Sequence, residues 1–232
     1  MSPDPTLVEE LVVLSYRRDT RKRQFRARDL PGSLDTALQA AVIVDLIASG
    51  RVGLVRQQAE ASILNTYALR IVTPGTTGIA VNDAVLAKIA DDANRGKPLS
   101  WWLARGGTET ATERDLIARG LVTEHVKKFG PFTRDYRFEP VDLQFDAAIR
   151  DRFEAVFFGG HEPTHRDLLI AAILSYGWIW HIFAPLTDNA ARNRFQDRVE
   201  SLAARQWPPA VGGDPIVSVL TALSFTHSGS GH

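Results

Sequence analysis

Residues 168–186, LLIAAILSYGWIWHIFAPL, contain no Asp, Glu, Lys or Arg. Nineteen such residues reach the length of a membrane-spanning helix. The same run also suits a helix that is apolar all round because a bundle buries it. Ser175, Gly177, His181 and Pro185 interrupt the stretch. A lone span would also put its two flanks on opposite sides of a membrane. The stretch is therefore expected to be the buried central helix of a helical domain.

The rest of the chain supplies helices to wrap it. Thr6 and Glu9 have capping-box spacing, ahead of an apolar stripe at Leu7, Leu11 and Leu14. Pro31-Gly32-Ser33 opens a second helix, LDTALQAAVIVDLIAS, which Gly50 closes. Residues 51–73 read as strands, RVGLV and then the β-branched SILNTYALRIV. Asn82 is expected to cap VLAKIADDA and Ser100 to cap WWLAR, and residues 110–119 form a helix ended by Gly120. Four more helices are expected, at roughly 143–157, 164–183, 188–205 and 215–225. Gly159-Gly160, Pro185 and Trp207-Pro208-Pro209 separate them. The predicted fold is mainly α: a single globular helical-bundle domain over residues 1–226, with a buried central helix and small β-hairpin elements. Residues 227–232 form a flexible tail.

Composition narrows the chemistry. There is no cysteine, so disulfides, a Cys-zinc site and a thiol nucleophile are excluded. The N-terminal MSPDPTLVEELVV lacks the basic and long apolar regions of a signal peptide, and none is expected. Lys plus Arg and Asp plus Glu each number 27, yet the charge is uneven. Residues 17–28, RRDTRKRQFRAR, set seven cations against Asp19, a net charge of +6. Such a segment suits contact with an anionic surface, or a solvated basic loop. It contains one aromatic residue, Phe25, and no nucleic-acid reading motif, so nucleic acid is not the expected partner.

A second cationic stretch is HVKKFGPFTRDYRF, residues 125–138. Two arms of period-two character flank a Gly130-Pro131 turn, with Phe129 and Phe132 at the tip and Lys127, Lys128 and Arg134 behind it. Aromatic residues crowned by cations suit the interface of an anionic bilayer. Phe129, Gly130, Pro131 and Phe132 are accordingly expected to insert into a membrane or to form an oligomer contact. Arg21, Lys22, Arg23, Arg26 and Arg28, with Lys127, Lys128 and Arg134, are expected to attract anionic lipid.

His161-Glu162-Pro163-Thr164-His165 matches the H-E-x-x-H letters of zinc proteases. That chemistry needs both histidines on one helical face, and Pro163 disfavours helix at Glu162. Thr164 reads instead as the N-cap of the next helix, which leaves His161 in a loop. No metal is expected. No G-x-S-x-G elbow, P-loop or G-x-G-x-x-G occurs. Trp178 and Trp180 are expected in the core, and of the adjacent Trp101 and Trp102 one should face inward and one outward.

Four segments, in order and spacing, resemble the Golgi phosphoprotein 3 family, including its shorter bacterial members. They are LVEELVVL (7–14), LQAAVIVDLIASGRVGL (38–54), DLIARGLVTE (115–124) and HRDLLIAAILSYGWIWHIFAPL (165–186). A weaker likeness lies at Thr77-Gly78 with Asp83 and Leu86. The resemblance implies a mainly α-helical, non-enzymatic peripheral membrane protein that needs no cofactor. Eukaryotic members bind phosphatidylinositol 4-phosphate on the cytosolic face of the Golgi and hold short cytoplasmic tails of client enzymes. Their hairpin aids membrane attachment and self-association. The family lipid pocket uses a Trp before the second helix, an Arg early in it, and two Arg three apart before the hairpin helix. The three Arg positions fall here on Gln39, Gly106 and Glu109, and no Trp lies near Leu30. The resulting expectation is a cytoplasmic protein, peripheral on the cytosolic face of a membrane, whose partner is anionic lipid. Self-association through residues 125–138 and client protein tails are its further expected partners, and a hairpin used only for protein contacts is the alternative.

Overall fold

The computed structural model describes residues 5–16, 33–57, 67–129, 133–184, 189–206 and 214–228. Helix α1 (Leu7–Ser15) begins with the expected capping box: the Glu9 amide donates to Thr6 Oγ1 at 3.3 Å, and the Thr6 amide donates to Glu9 Oε2 at 2.6 Å. The expected one-sided stripe does not describe it, because all nine of its residues are buried. Glu9 and Glu10 tolerate this because arginines come to them. Arg119 pairs with Glu9, and both Arg152 and Arg166 pair with Glu10. Arg152 also reaches Asp167 at 3.0 Å.

Around α1 lie α2 (Ser33–Ala48), α5 (Thr108–Ala118), α6 (Leu143–Phe157), α7 (His165–Tyr176) and α8 (Trp180–Phe183). Helix α3 (Ala80–Ala90) and α4 (Leu99–Leu103) pack on α2, while α9 (Asn189–Gln206) and α10 (Pro215–Ser228) pack on α7. Apolar residues of every helix join one cluster. Two antiparallel pairs complete the described fold. Strand β1 (Val52–Arg56) pairs with β2 (Tyr67–Ile71), and β3 (Val122–Phe129) with β4 (Thr133–Pro140). No helix among the described residues is long and apolar enough to cross a membrane.

Three helices end alike, and the third is unusual. After α2, the Gly50 amide donates to Ile47 O and the Arg51 amide to Leu46 O, with Gly50 at φ +66°. After α5, Gly120 does the same at φ +70°. This double bond pattern needs a left-handed residue, normally glycine. After α7, the Trp178 amide donates to Ser175 O and the Ile179 amide to Leu174 O, so Trp178 takes the left-handed place at φ +52°. The adjacent glycine has another task. A Cβ on Gly177 would lie 3.2 Å from Ala37 Cβ and 3.4 Å from Leu223 Cδ2, so Gly177 lets α2 and α10 approach.

Several boundaries differ from expectation. The helix expected over 164–183 is two, α7 and α8, broken at Gly177-Trp178; Leu169 to Leu174 are buried as expected. Asn82 is no cap: α3 starts at Ala80 after Ile79, and Asn82 is buried inside it. The loop before it is fixed by Asp83, which accepts from the amides of Thr77 at 2.6 Å and Gly78 at 3.1 Å. Ser100 is the second residue of α4, after Pro98. Helix α10 runs to Ser228.

Candidate functional site

The hairpin and the basic segment share a foundation. At the end of α1, Tyr16 stacks on Phe138 of β4 with ring centroids 4.5 Å apart and 18° between planes. Its hydroxyl donates to Glu113 on α5. Arg150 on α6 fixes the backbone there, donating to Tyr16 O at 2.9 Å and Val13 O at 2.7 Å while pairing with Asp146 at 2.8 Å. Tyr16 is thus clamped to the base of β4 at the residue from which the basic segment departs.

The described chain resumes at α2, whose first turn carries Asp35. Helix α5 starts after Gly107, which has φ +97° and no side chain to cap the exposed amides. Asp35 caps them from a distance. One carboxylate oxygen accepts from the Gly107 amide, and the other accepts from the Glu109 amide at 2.9 Å. A Cβ on Gly106 would sit 3.1 Å from the same carboxylate. Thr108 Oγ1 donates to Gln39 Oε1 at 2.5 Å. Gln39, Gly106 and Glu109, which stand where the resemblance would require arginines, therefore do meet at one helix N-terminus. The chain's own carboxylate occupies its centre.

The ladder of β3 and β4 runs from Val122↔Pro140 to Phe129↔Thr133. Lys127 stands opposite Asp135, Lys128 opposite Arg134, and His125 opposite Arg137. The hairpin expected at 125–138 is present, and four of the predicted residues, Lys127, Lys128, Phe129 and Arg134, lie on its strands. Gly130, Pro131 and Phe132 lie outside the described residues, as do Arg21, Lys22, Arg23, Arg26 and Arg28. Sequence reasoning missed Tyr16, Asp35 and Arg150. The only local signal was Tyr16 ending an apolar helix just before a charge run.

The H-E-x-x-H letters fall as the proline predicts. Residues 161–164 are not helical, and Thr164 caps α7 in a capping box with Asp167. Glu162 bonds Arg205 at 2.7 Å, and His161 O accepts from Arg198 at 3.0 Å. Trp102 is buried as expected, whereas Trp101, expected to face outward, is half-buried and packs against the core. The Arg105 guanidinium lies 3.7 Å from the Trp101 ring centroid. Trp178 departs from expectation: it is 64% exposed, and only Trp180 packs on the core.

Fold and site together define a helical domain that carries one long β-hairpin packed against Tyr16, the residue just before a strongly basic stretch of sequence. The chain belongs to the Golgi phosphoprotein 3 (GPP34) family, whose model matches residues 7–219. No curated protein matches the chain.

Proposed function

We propose that this protein is a non-enzymatic peripheral membrane protein. It binds the anionic lipid of a cytosolic membrane face through residues 17–28 and the tip of the β3–β4 hairpin. The observation that carries the reading is the clamp of Tyr16 to Phe138 and Arg150, which roots the basic segment at the base of the hairpin. Six net positive charges near such a surface contribute about 1 kcal/mol each at low salt, and screening weakens them. Phe129 and Phe132 add a second, salt-insensitive attachment. The geometry at α5 favours diffuse attraction over a head-group pocket, because Asp35 already takes the amides that a phosphate would use.

Liposome co-sedimentation tests this. Binding should rise with anionic lipid content, fall with salt, and weaken in Phe129→Ala/Phe132→Ala. Binding indifferent to all three would overturn it.

A second reading rests on the two-stranded sheet. Within the described residues neither β3 nor β4 pairs with another strand, so each offers an edge to which a second copy or a client tail can add. Light scattering separates the two readings. A hairpin deletion that turns an oligomer into a monomer, in a protein that binds no liposome, favours protein contact alone.

A further inference from the structure

A cavity of about 270 Å³ opens where α7 and α8 meet α9 and α10. Tyr176, Trp178 and Trp180 are three of its lining residues, with Ser175 and Ser224 beside them. Ala203 and Ala204 of α9 leave room between them, and Glu200, one turn earlier on the same helix, adds a carboxylate. Drug-sized ligands take about 300–1,000 Å³, so this cavity fits a small group.

Two features distinguish it from an accidental dent. Trp178 holds the left-handed position that glycine fills after α2 and α5, a conformation that is strained for a bulky residue. Its side chain lies outside the core, 64% exposed, and lines the cavity. The second feature is charge. Glu200 is the one charged residue of the lining, and Gln196 Nε2 donates to its Oε1 at 2.8 Å. His181 and Trp180 meet edge to face with ring centroids 5.9 Å apart, and burial, with the nearby Arg192 cation, lowers the His181 pKa below the usual histidine value.

We infer that this cavity is an aromatic cage for a quaternary ammonium group, of the trimethylammonium type carried by free choline or by a choline lipid head group. Ring faces attract a cation, and indoles do so most strongly. A primary ammonium would need acceptors for three N–H groups, whereas a methylated one needs none and loses little on leaving water. The three aromatic residues and Glu200 suffice for the methylated ion, which does not need the hydroxyls of Ser175 and Ser224 that complete the polar lining. The site lies apart from the hairpin and stands or falls independently of membrane attachment there.

The test is tryptophan fluorescence during titration of the full chain with tetramethylammonium and with choline, at matched ionic strength. The control is 3,3-dimethylbutanol, the uncharged carbon analogue of choline. Both cations should give a saturable change and the neutral analogue none. Trp178→Gly should weaken binding about fivefold to thirtyfold, read by calorimetry, while raising the thermal midpoint because glycine relieves the strain. Glu200→Gln should also weaken it. Vesicles of phosphatidylcholine form a further arm: a matching change identifies the head group as the source, and its absence identifies the free cation, either of which supports the cage. Equal binding of the neutral analogue, or no saturation with either cation, overturns it.

Discussion

Asp45 offers the sharpest test of how α1 is held. It lies in the last turn of α2, and its Oδ2 accepts the Leu7 amide at 2.8 Å. Burial raises its pKa from 3.8 to about 6, against the opposing pull of Arg166, the Leu7 hydrogen bond lowering it further and Glu10 raising it. Arg166 cannot serve Asp45 fully because its Nε is bonded to Glu10 at 2.6 Å. A folded-state pKa above the unfolded one means that the folded protein holds this proton more tightly. Its contribution to stability is then complete below 3.8 and lost as pH rises through about 6. At about 1.36 kcal/mol per pH unit, the loss approaches about 3 kcal/mol. Asp45→Asn keeps an acceptor for Leu7 and never ionises. Urea denaturation of both proteins between pH about 4 and about 7.5 isolates this carboxyl, since the other titrations cancel in the difference. The mutant should gain on the wild type as pH rises, by up to about 3 kcal/mol in total. A flat difference, or a wild type that gains on the mutant, would refute the reasoning by showing that Arg166 outweighs desolvation.

Two further perturbations probe the roots of the candidate surface. Asp35→Ala removes the remote cap of α5 and should cost about 1 kcal/mol, read as a lower thermal midpoint, with Asp35→Asn losing less. An unchanged midpoint in Asp35→Ala would show that the amides of Gly107 and Glu109 do not depend on it. Arg150→Met removes the donors to Val13 O and Tyr16 O and strips buried Asp146 of its ion pair. It should cost about 3–5 kcal/mol by urea denaturation, and a cost below about 1 kcal/mol would refute the clamp.

Local chemistry was legible in the sequence. Thr6 with Glu9, Gly50, Gly120 and Thr164 were read correctly because a cap or a left-handed turn is decided within about six residues. The hairpin was legible because alternation and a turn signal lie side by side. Long-range choices were not. Nothing near Asp35 says that it will cap a helix more than seventy positions later. Nothing near Glu10 says that arginines 142 and 156 positions away will enclose it. Trp178 failed for a related reason. Gly177 looks like the residue that should end α7, but the approach of α2 and α10 claims it, and the left-handed turn moves one residue on. The family resemblance pointed to Gln39, Gly106 and Glu109, while only the geometry revealed the Asp35 carboxylate between them.

The burial of α1 on all sides also governs when the molecule can assemble. Its ionic partners Arg119, Arg152 and Arg166, and Phe138, which stacks on Tyr16 just after it, are all encoded far downstream. A ribosome adding about 5–20 residues each second needs on the order of 8–30 s to travel from the end of α1 to Asp167. For most of that interval α2 can already cover one side of α1, while Glu10 still lacks the arginines that offset its burial. The buried acidic side of α1 is therefore neutralised only late in synthesis.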